Sequence, residues 1–204
     1  CKIIANMAGS TFADYCEMAE KLSDADVDML EMNISCPNVK AGGAAFGTNP
    51  DTVLKITSAV RRYAKRPLIV KLSPNVADIT ETAKAADALS LINTLTGMAI
   101  DAKTRRPILA NIIGGLSGPC VKPVALRMVY QVYNAVNLPI IGMGGIASGT
   151  DAAEFLLAGS TAVSIGTAHF TNPYACLTIR DELQAYMKPQ GVHTIHELTG
   201  GLQI

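Results

Sequence analysis

Six short apolar segments recur along the chain, and most of them are followed by a stretch with helical periodicity. Each segment is almost wholly apolar and does not alternate with polar residues, which is typical of parallel strands covered on both faces. The predicted strands are Lys2–Met7, Met29–Ile34, Leu68–Leu72, Leu89–Asn93, Pro139–Met143 and Ala162–Ile165. The predicted helices are Phe12–Leu22, Asp51–Ala64, Ile79–Ala86, Pro123–Val136 and Thr150–Leu157. This alternation predicts βαβ units, a parallel sheet and an α/β fold.

The segments after the predicted strands are polar or rich in glycine, as in NISCPN, KLSPN, NTLTG and GMGGIASG. An open sheet has its ligand site at one switch point, whereas a barrel gathers residues from many strand ends. We therefore predict a (β/α)8 TIM barrel, which needs eight units over roughly 250 residues. Residues 1–204 would form the C-terminal six β/α units of a single barrel domain, with about two units absent N-terminal to Cys1. The join at Ala86–Asp87 indicates either a shortened loop or absent residues, and we favour the second.

Composition narrows the classes of function. Hydrophobic residues make up 49% of the 204 residues and charged residues 17%, as in globular proteins. Basic and acidic residues number 17 each, which gives no electrostatic preference for nucleic acid or an anionic membrane. The five cysteines include no CxxC pair. They indicate reduced thiols in a cytoplasmic protein, and argue against disulfides, zinc or an iron–sulfur cluster.

Two glycine clusters predict a site for a phosphate group. Gly144 and Gly145 follow one predicted strand and precede a helix that begins near Ser148–Asp151, and Gly166 and Thr167 follow the next strand. Glycines allow close backbone approach to an anion, and a helix N-terminus presents unpaired amides. In barrels the loops after the last two strands frequently form such a site. The alternative is that the glycines only make tight turns between strand and helix. The stretch Gly114–Pro119 is predicted to close over the same anion.

Polar residues at three other strand ends suggest a small-molecule ligand. Lys71 ends an apolar strand, and because a buried ammonium is costly unless paired, we expect it to face an anion or an electron-rich ring. Asn33 and Asn93 offer amide groups to a planar heterocycle, or else form ordinary loop hydrogen bonds. Cys36 lies between Asn33 and Asn38 and precedes a proline. This loop position would make its thiolate reachable as a base or nucleophile, whereas the other cysteines are interpreted as structural thiols.

The segments NISCPNVKAGGAAFGT, VKLSPNVADI, INTLTGMAIDAKTRRPILANIIGGLSGPCVKPVAL and PIIGMGGIASGTDAAEFLLAG closely resemble dihydroorotate dehydrogenase, and more narrowly its soluble, NAD-linked class 1B branch. The resemblance implies an FMN-binding barrel that oxidises dihydroorotate to orotate in pyrimidine (UMP) biosynthesis. Cys36 matches the general base at C5, and hydride would pass from C6 to flavin N5. Substrate-binding residues are implied at Asn33, Asn38, Asn93 and Thr94. Cofactor-binding residues are implied at Asn6, Asn33, Lys71, Ile92, Gly118, Gly144, Gly145, Gly166 and Thr167.

The resemblance also implies partners. In the NAD-linked branch the electrons leave FMN for a second subunit that carries FAD and a [2Fe–2S] cluster, and we expect a homodimer joined to such a subunit. Two alternatives stay open. One is the uracil- and thymine-reducing domain of dihydropyrimidine dehydrogenase, which shares the barrel and a similar SCP loop. The other is a non-catalytic FMN-binding barrel.

Overall fold

The computed structural model describes residues 1–35, 44–83 and 86–204, and its main feature is a six-stranded parallel sheet. The strands of the described residues are β1 (Ile4–Met7), β2 (Met29–Asn33), β3 (Leu68–Lys71), β4 (Ala88–Leu91), β5 (Leu95–Met98), β6 (Ile100–Asp101), β7 (Arg106–Pro107), β8 (Ile113–Leu116), β9 (Ile140–Met143) and β10 (Ala162–Ser164). The parallel sheet has the order β1-β2-β3-β4-β9-β10. All six of its strands were predicted from the apolar segments.

The strand order supports the barrel class. The six strands lie side by side in the order in which the chain forms them, without the reversal that creates the switch point of a doubly wound sheet. Parallel strands in unbroken chain order are the arrangement of a β/α barrel. Within the described residues β1 and β10 form the two edges and do not pair with each other. The fold is therefore a mixed α/β sheet of the barrel type, and closure by eight strands stays a prediction.

Helices cover one face of the sheet. The α-helices are α1 (Phe12–Ser23), α2 (Ala44–Gly47), α3 (Pro50–Arg61), α4 (Lys122–Ala135), α5 (Gly149–Leu157), α6 (Ala168–Thr171) and α7 (Ala175–Met187). Local sequence explains where they begin: Thr11 and Asp14 form a capping box on α1, and Asn49 and Ser148 cap α3 and α5. The core lies between this helical layer and the sheet, and includes Met7, Tyr15, Leu30, Met32, Ile56, Val70, Leu89, Val129, Ile140 and Phe155.

The opposite face of the sheet, which we call the inner face, is more polar. Alternate positions of the strands place Asn6, Glu31, Asn33, Lys71 and Ser90 on it. Cross-strand pairing puts Asn6 opposite Glu31, and puts Lys71 opposite both Asn33 and Ser90. A barrel that binds a polar ligand in its interior requires polar side chains on the inner face of otherwise apolar strands. The inner face is therefore the part of the fold that can carry chemistry.

The secondary structure differs from the sequence predictions in two regions. The helix expected over Ile79–Ala86 is only a 3-10 turn at Thr80–Thr82 within the described residues, and Lys84 and Ala85 lie outside them. The side chain of Asp78 accepts hydrogen bonds from the amide and hydroxyl of Thr80 at the start of this turn. The stretch after Asn93, for which no strand was predicted, forms two antiparallel pairs, β5 with β8 and β6 with β7. In the described parts of the chain no helix is both long and apolar enough to span a membrane.

Candidate active site

A cavity of about 370 Å³ opens at the carboxyl ends of the parallel strands. This volume is within the roughly 300–1,000 Å³ of small-molecule sites. Most of the predicted site residues line it, namely Lys71, Ile92, Asn93, Thr94, Gly118, Gly144, Gly145, Gly166 and Thr167. They come from the ends of β3, β4, β9 and β10 and from the turn after β8, so the fold brings together residues that are far apart in sequence. Asn6 and Asn33 do not line the cavity, and Cys36 and Asn38 lie outside the described residues.

Three glycine-bearing loops form one end of the cavity. Gly118, Gly144 and Gly145 have φ of 93°, 122° and 84°, backbone conformations that residues with a side chain rarely adopt. A Cβ on Gly145 would lie 2.8 Å from the carbonyl oxygen of Gly118, whereas a Cβ on Gly166 would meet nothing within 4 Å. Between Gly118 and Gly145 the loops therefore approach each other too closely to accommodate a side chain, whereas beside Gly166 there is open space. Such a backbone-lined concavity suits an anionic group.

Side chains of this chain already accept hydrogen bonds from several amides at and just before the N-terminus of α5. The Gly149 amide donates to Glu182 of α7 at 2.7 Å, and the Ala147 amide donates to Asp151 at 2.9 Å. Burial raises the pKa of Asp151, but hydrogen bonds from Lys122, Ala147 and Ser148 outweigh it, and the net pKa is lowered. The Asp151 amide donates to Ser148 Oγ at 3.1 Å, so the Gly149 and Asp151 amides of the first turn are both bound by side chains of this chain. With these amides already bound, an anion at this end of the cavity would chiefly contact the glycine loops.

Lys71 is the one charged side chain among the described residues that line the cavity. It ends β3 on the inner face and is half-buried, and no described carboxylate lies within ion-pair distance of its ammonium group. The other nearby lysine, Lys122, is bound to Asp151 at 2.6 Å and Glu154 at 2.8 Å. Its hydrogen bonds to these two carboxylates raise the pKa of Lys122. The positive charge that faces the cavity is therefore that of Lys71.

Asn33 and Asn93 are linked through a residue that sequence reasoning missed. The hydroxyl of Ser35 donates to Asn33 Oδ1 at 2.9 Å and accepts from Asn93 Nδ2 at 2.9 Å. The phenol of Tyr15 donates to the Asn33 carbonyl at 2.8 Å. Ser35 lies within the NISCPN segment, but nothing in the local sequence showed that its hydroxyl would meet an asparagine 58 positions away. This contact depends on the pairing of β2, β3 and β4.

Asn75 holds the loop that carries Thr94. Its Nδ2 donates to the Thr94 carbonyl at 3.1 Å, and its Oδ1 accepts from the Thr96 amide at 3.0 Å. A Cβ on Gly115 would lie 2.4 Å from Thr94 Oγ1, so the threonine side chain packs directly on the backbone of β8. The antiparallel β5–β8 pair therefore fixes one wall of the cavity. The sequence analysis included Asn75 in the polar segment KLSPN but assigned it no role.

Asn6 is held on the inner face by Glu31, a second residue missed from the sequence. Its side-chain amide donates to Glu31 Oε2, and the buried hydroxyl of Ser90 donates to Glu31 Oε1 at 2.6 Å. Glu31 is a charged residue within an apolar strand, which is the same signal that drew attention to Lys71. The cost of burying an unpaired charge would have predicted a partner for it. The carboxylate joins three strands below the cavity.

We expect Glu31→Ala to destabilise the fold by about 1–3 kcal/mol, because it leaves the buried Ser90 hydroxyl and the Asn6 amide without this acceptor. Urea unfolding followed by circular dichroism measures the loss. Glu17→Ala is the matched control, since Glu17 pairs with Lys21 on an exposed helix face and its removal should change stability by no more than about 0.5 kcal/mol. Equal losses for the two variants would contradict this role for Glu31.

The described cysteines fit the structural interpretation. Cys16 is half-buried on α1, and burial raises the pKa of its thiol, which disfavours the reactive thiolate. Cys1, Cys120 and Cys176 are exposed and free of disulfides. None of these four lines the cavity. The predicted role of Cys36 stays a prediction, although its neighbour Ser35 is hydrogen-bonded to the cavity-lining Asn93.

Together the fold and the cavity define a β/α-barrel type of protein with a small-molecule or cofactor site at its strand ends. The family model described as dihydroorotate dehydrogenase matches residues 1–187, and the chain belongs to this family. It is 62% identical to the catalytic subunit of dihydroorotate dehydrogenase B (NAD(+)) from Alkaliphilus oremlandii, over 98% of this chain and 68% of that protein. The corresponding subunits of Halalkalibacterium halodurans and Geobacter metallireducens are each 58% identical over 98% of this chain, covering 67% and 68% of those proteins.

Proposed function

We propose that this protein oxidises dihydroorotate to orotate in pyrimidine biosynthesis, with FMN as the electron acceptor. The observation that carries the proposal is the convergence of Lys71, Asn93, Thr94 and the three glycine loops on one cavity in a member of this family. The relatives named above are catalytic subunits of dihydroorotate dehydrogenase B (NAD(+)). High identity over nearly the whole chain supports the same reaction here.

The residues present fit FMN. The open space beside Gly166 and the positive φ of Gly118, Gly144 and Gly145 provide a backbone cradle for a phosphate. Lys71 supplies a positive charge further along the cavity, near which the electron-rich edge of the flavin ring would lie. Ile92 contributes an apolar side chain to the same wall. When bound, FMN would accept the hydride from C6 of the substrate at N5.

Cys36 is proposed as the general base that removes the C5 proton. The ordinary pKa of a thiol, about 8.5, is near the operating pH, so a thiolate is accessible without a dedicated second base. The thiolate becomes a thiol as the C5–H bond breaks, and the C5–C6 double bond of orotate forms as hydride leaves C6. Asn33, Asn38, Asn93 and Thr94 would hold the pyrimidine so that both hydrogens are lost from one bound orientation. The proposal is supported by Ser35, the neighbour of Cys36 in sequence, which accepts hydrogen bonds from the cavity-lining Asn93.

Electrons would leave the protein through a partner. The relatives are described as catalytic subunits of an NAD(+)-linked enzyme, which supports a second subunit. We propose that this subunit carries FAD and a [2Fe–2S] cluster, passes electrons to NAD, and joins a homodimer of the catalytic chain. We also propose a cytoplasmic location. The proposed partner is tested by purifying the complex, measuring its flavin and iron content, and then measuring the reduction of NAD+ by dihydroorotate.

The reaction itself is tested by the flavin spectrum of the holoenzyme without oxygen. We expect dihydroorotate to bleach the flavin absorbance and dihydrouracil to leave it unchanged. Bleaching by dihydrouracil instead would favour the dihydropyrimidine dehydrogenase alternative. A flavin that neither compound reduces would contradict the proposed oxidation and favour the non-catalytic barrel.

A further inference from the structure

The side chain of Ser35 lies between the amide groups of two asparagines. Ser35 is fully buried, with 0% of its surface exposed. Its hydroxyl is 2.9 Å from Asn33 Oδ1 and 2.9 Å from Asn93 Nδ2. Its backbone is involved as well, since the Ser35 amide donates to Asn33 Oδ1 at 3.3 Å and the Ser35 carbonyl accepts from Asn93 Nδ2 at 2.9 Å. One residue therefore makes four hydrogen bonds with the two asparagines.

These contacts determine which end of each amide is free. A backbone N–H can only donate, so the Asn33 atom that it meets must be the oxygen. A backbone carbonyl can only accept, so the Asn93 atom that it meets must be the nitrogen. Asn33 is consequently left with an unpaired NH2 group and Asn93 with an unpaired oxygen, as far as the described residues show. The two asparagines, identical in chemistry, present opposite hydrogen-bonding groups.

The same arrangement uses the proton and one of the two lone pairs of the Ser35 hydroxyl. It has one proton, which it donates to Asn33, and it accepts from Asn93. A buried hydroxyl whose proton is donated to a neutral amide oxygen has no base to activate it, so it is a poor proton acceptor for a substrate. Although Ser35 is next to the proposed base Cys36, it is therefore suited to holding the asparagines and unsuited to acid–base catalysis.

We propose that Ser35 is a positioning residue that makes Asn33 a hydrogen-bond donor and Asn93 a hydrogen-bond acceptor toward the substrate. Such a pair fits a ligand edge that presents a carbonyl and an N–H group side by side, as a cyclic amide or ureide does. The acceptor of Asn93 would repel a carboxylate, which presents only oxygens. This inference rests on the proposed function, because dihydroorotate has both a ring ureide and a carboxylate.

The orientation of the Asn33 side-chain amide depends more on the Ser35 hydroxyl than the orientation of the Asn93 side-chain amide does. Without the hydroxyl, Asn33 Oδ1 retains only the long 3.3 Å bond to the backbone amide, whereas Asn93 Nδ2 retains a 2.9 Å bond to the carbonyl. We expect Ser35→Ala in the FMN-loaded enzyme to weaken orotate binding and raise the KM for dihydroorotate by roughly 10- to 50-fold, the equivalent of one or two hydrogen bonds. FMN affinity and the pH dependence of kcat should stay those of the wild type.

Ser23→Ala is the matched control. Ser23 is also buried, and its hydroxyl also both donates and accepts, to the Ala19 carbonyl at 2.6 Å and from the Lys65 amide at 2.9 Å. It does not line the cavity, so its loss should lower the melting temperature without changing orotate binding. Orotate binding of wild-type strength in Ser35→Ala would overturn the proposal. A loss of kcat with an altered pH profile and unchanged orotate binding would also overturn it, because Ser35 would then act on a proton.

The amide orientations have an independent test that does not need catalysis. Asn33→Asp keeps an oxygen where Ser35 donates, so its melting temperature should stay within about 2 °C of the wild type. Asn93→Asp removes both donors to Ser35 and places a carboxylate against a carbonyl, so it should melt at least about 4 °C lower. The reverse order would overturn the assignment of donor and acceptor. If the wild type fails to oxidise dihydroorotate, the proposed function fails, and these two melting temperatures still decide whether Ser35 orients the amides.

Discussion

Replacing Cys36 with alanine should lower the rate of flavin reduction by dihydroorotate by roughly 1,000-fold, within the 10²–10⁴ range of general-base catalysis. Alanine cannot accept the C5 proton, and Ser35, the nearest hydroxyl in sequence, already donates to Asn33 and accepts from Asn93. The rate is measured by stopped-flow absorbance of the flavin without oxygen. In the wild type it should rise with pH as the thiol ionises to the thiolate. In the variant this rise should be lost.

Cys176→Ala is the control for this experiment. Cys176 is an exposed, free cysteine on α7 and lies away from the cavity, so its removal should leave both the rate and its pH dependence unchanged. The Cys36 variant must also bind FMN and orotate normally, which separates a loss of chemistry from a loss of structure. A Cys36→Ala enzyme that reduces its flavin at a near wild-type rate would show that another group is the base.

Gly145→Ala should weaken FMN binding by roughly 100-fold, or about 2.7 kcal/mol. The new Cβ would lie 2.8 Å from the Gly118 carbonyl oxygen and 3.0 Å from the Lys122 backbone nitrogen, so the loops after β8 and β9 could no longer approach each other. The φ of 84° at this position adds strain of about 1–2 kcal/mol. Fluorescence titration of the flavin-free protein with FMN measures the affinity, and thermal unfolding reports the strain.

Gly191→Ala separates these two effects. Gly191 also has a positive φ, of 68°, but a Cβ there would meet no atom within 4 Å, and the residue is remote from the cavity. The two variants should therefore lose similar stability from backbone strain, and only Gly145→Ala should lose FMN affinity. If Gly145→Ala binds FMN as tightly as Gly191→Ala does, the glycine loops are not the phosphate cradle.

The predicted elements were most accurate where the pattern is local. All six parallel strands were found, because each is a short apolar segment followed by polar residues or glycine. The α1, α3, α4 and α5 helices were found to within a few residues, because caps such as Thr11 and Ser148 act on the adjacent turn. The helix predicted over Ile79–Ala86 is an exception, since the described residues form only a 3-10 turn at Thr80–Thr82.

The hairpins between β5 and β8 were missed for a different reason. Their pairing brings together residues such as Leu95 and Leu116, which no local period connects. Many of their apolar side chains, including Ile100 and Ile108, are exposed, so the usual alternation of a half-buried strand is absent. No element was predicted in this region because its sequence carries neither strand nor helix periodicity.

The sequence by itself determined the order of the strands and helices and the set of polar and glycine residues at the strand ends, because these follow from local periodicity and turn chemistry. Only the tertiary structure decided which of these residues meet. Glu182 of α7 accepts a hydrogen bond from the Gly149 amide. Glu31 accepts hydrogen bonds from Asn6 and Ser90. Ser35 is hydrogen-bonded to both Asn33 and Asn93. Each of these contacts depends on strand order, register or helix packing, which bring distant residues within hydrogen-bond distance. The local sequence can show that a residue such as Glu31 needs a partner, but it does not show which residue that partner is.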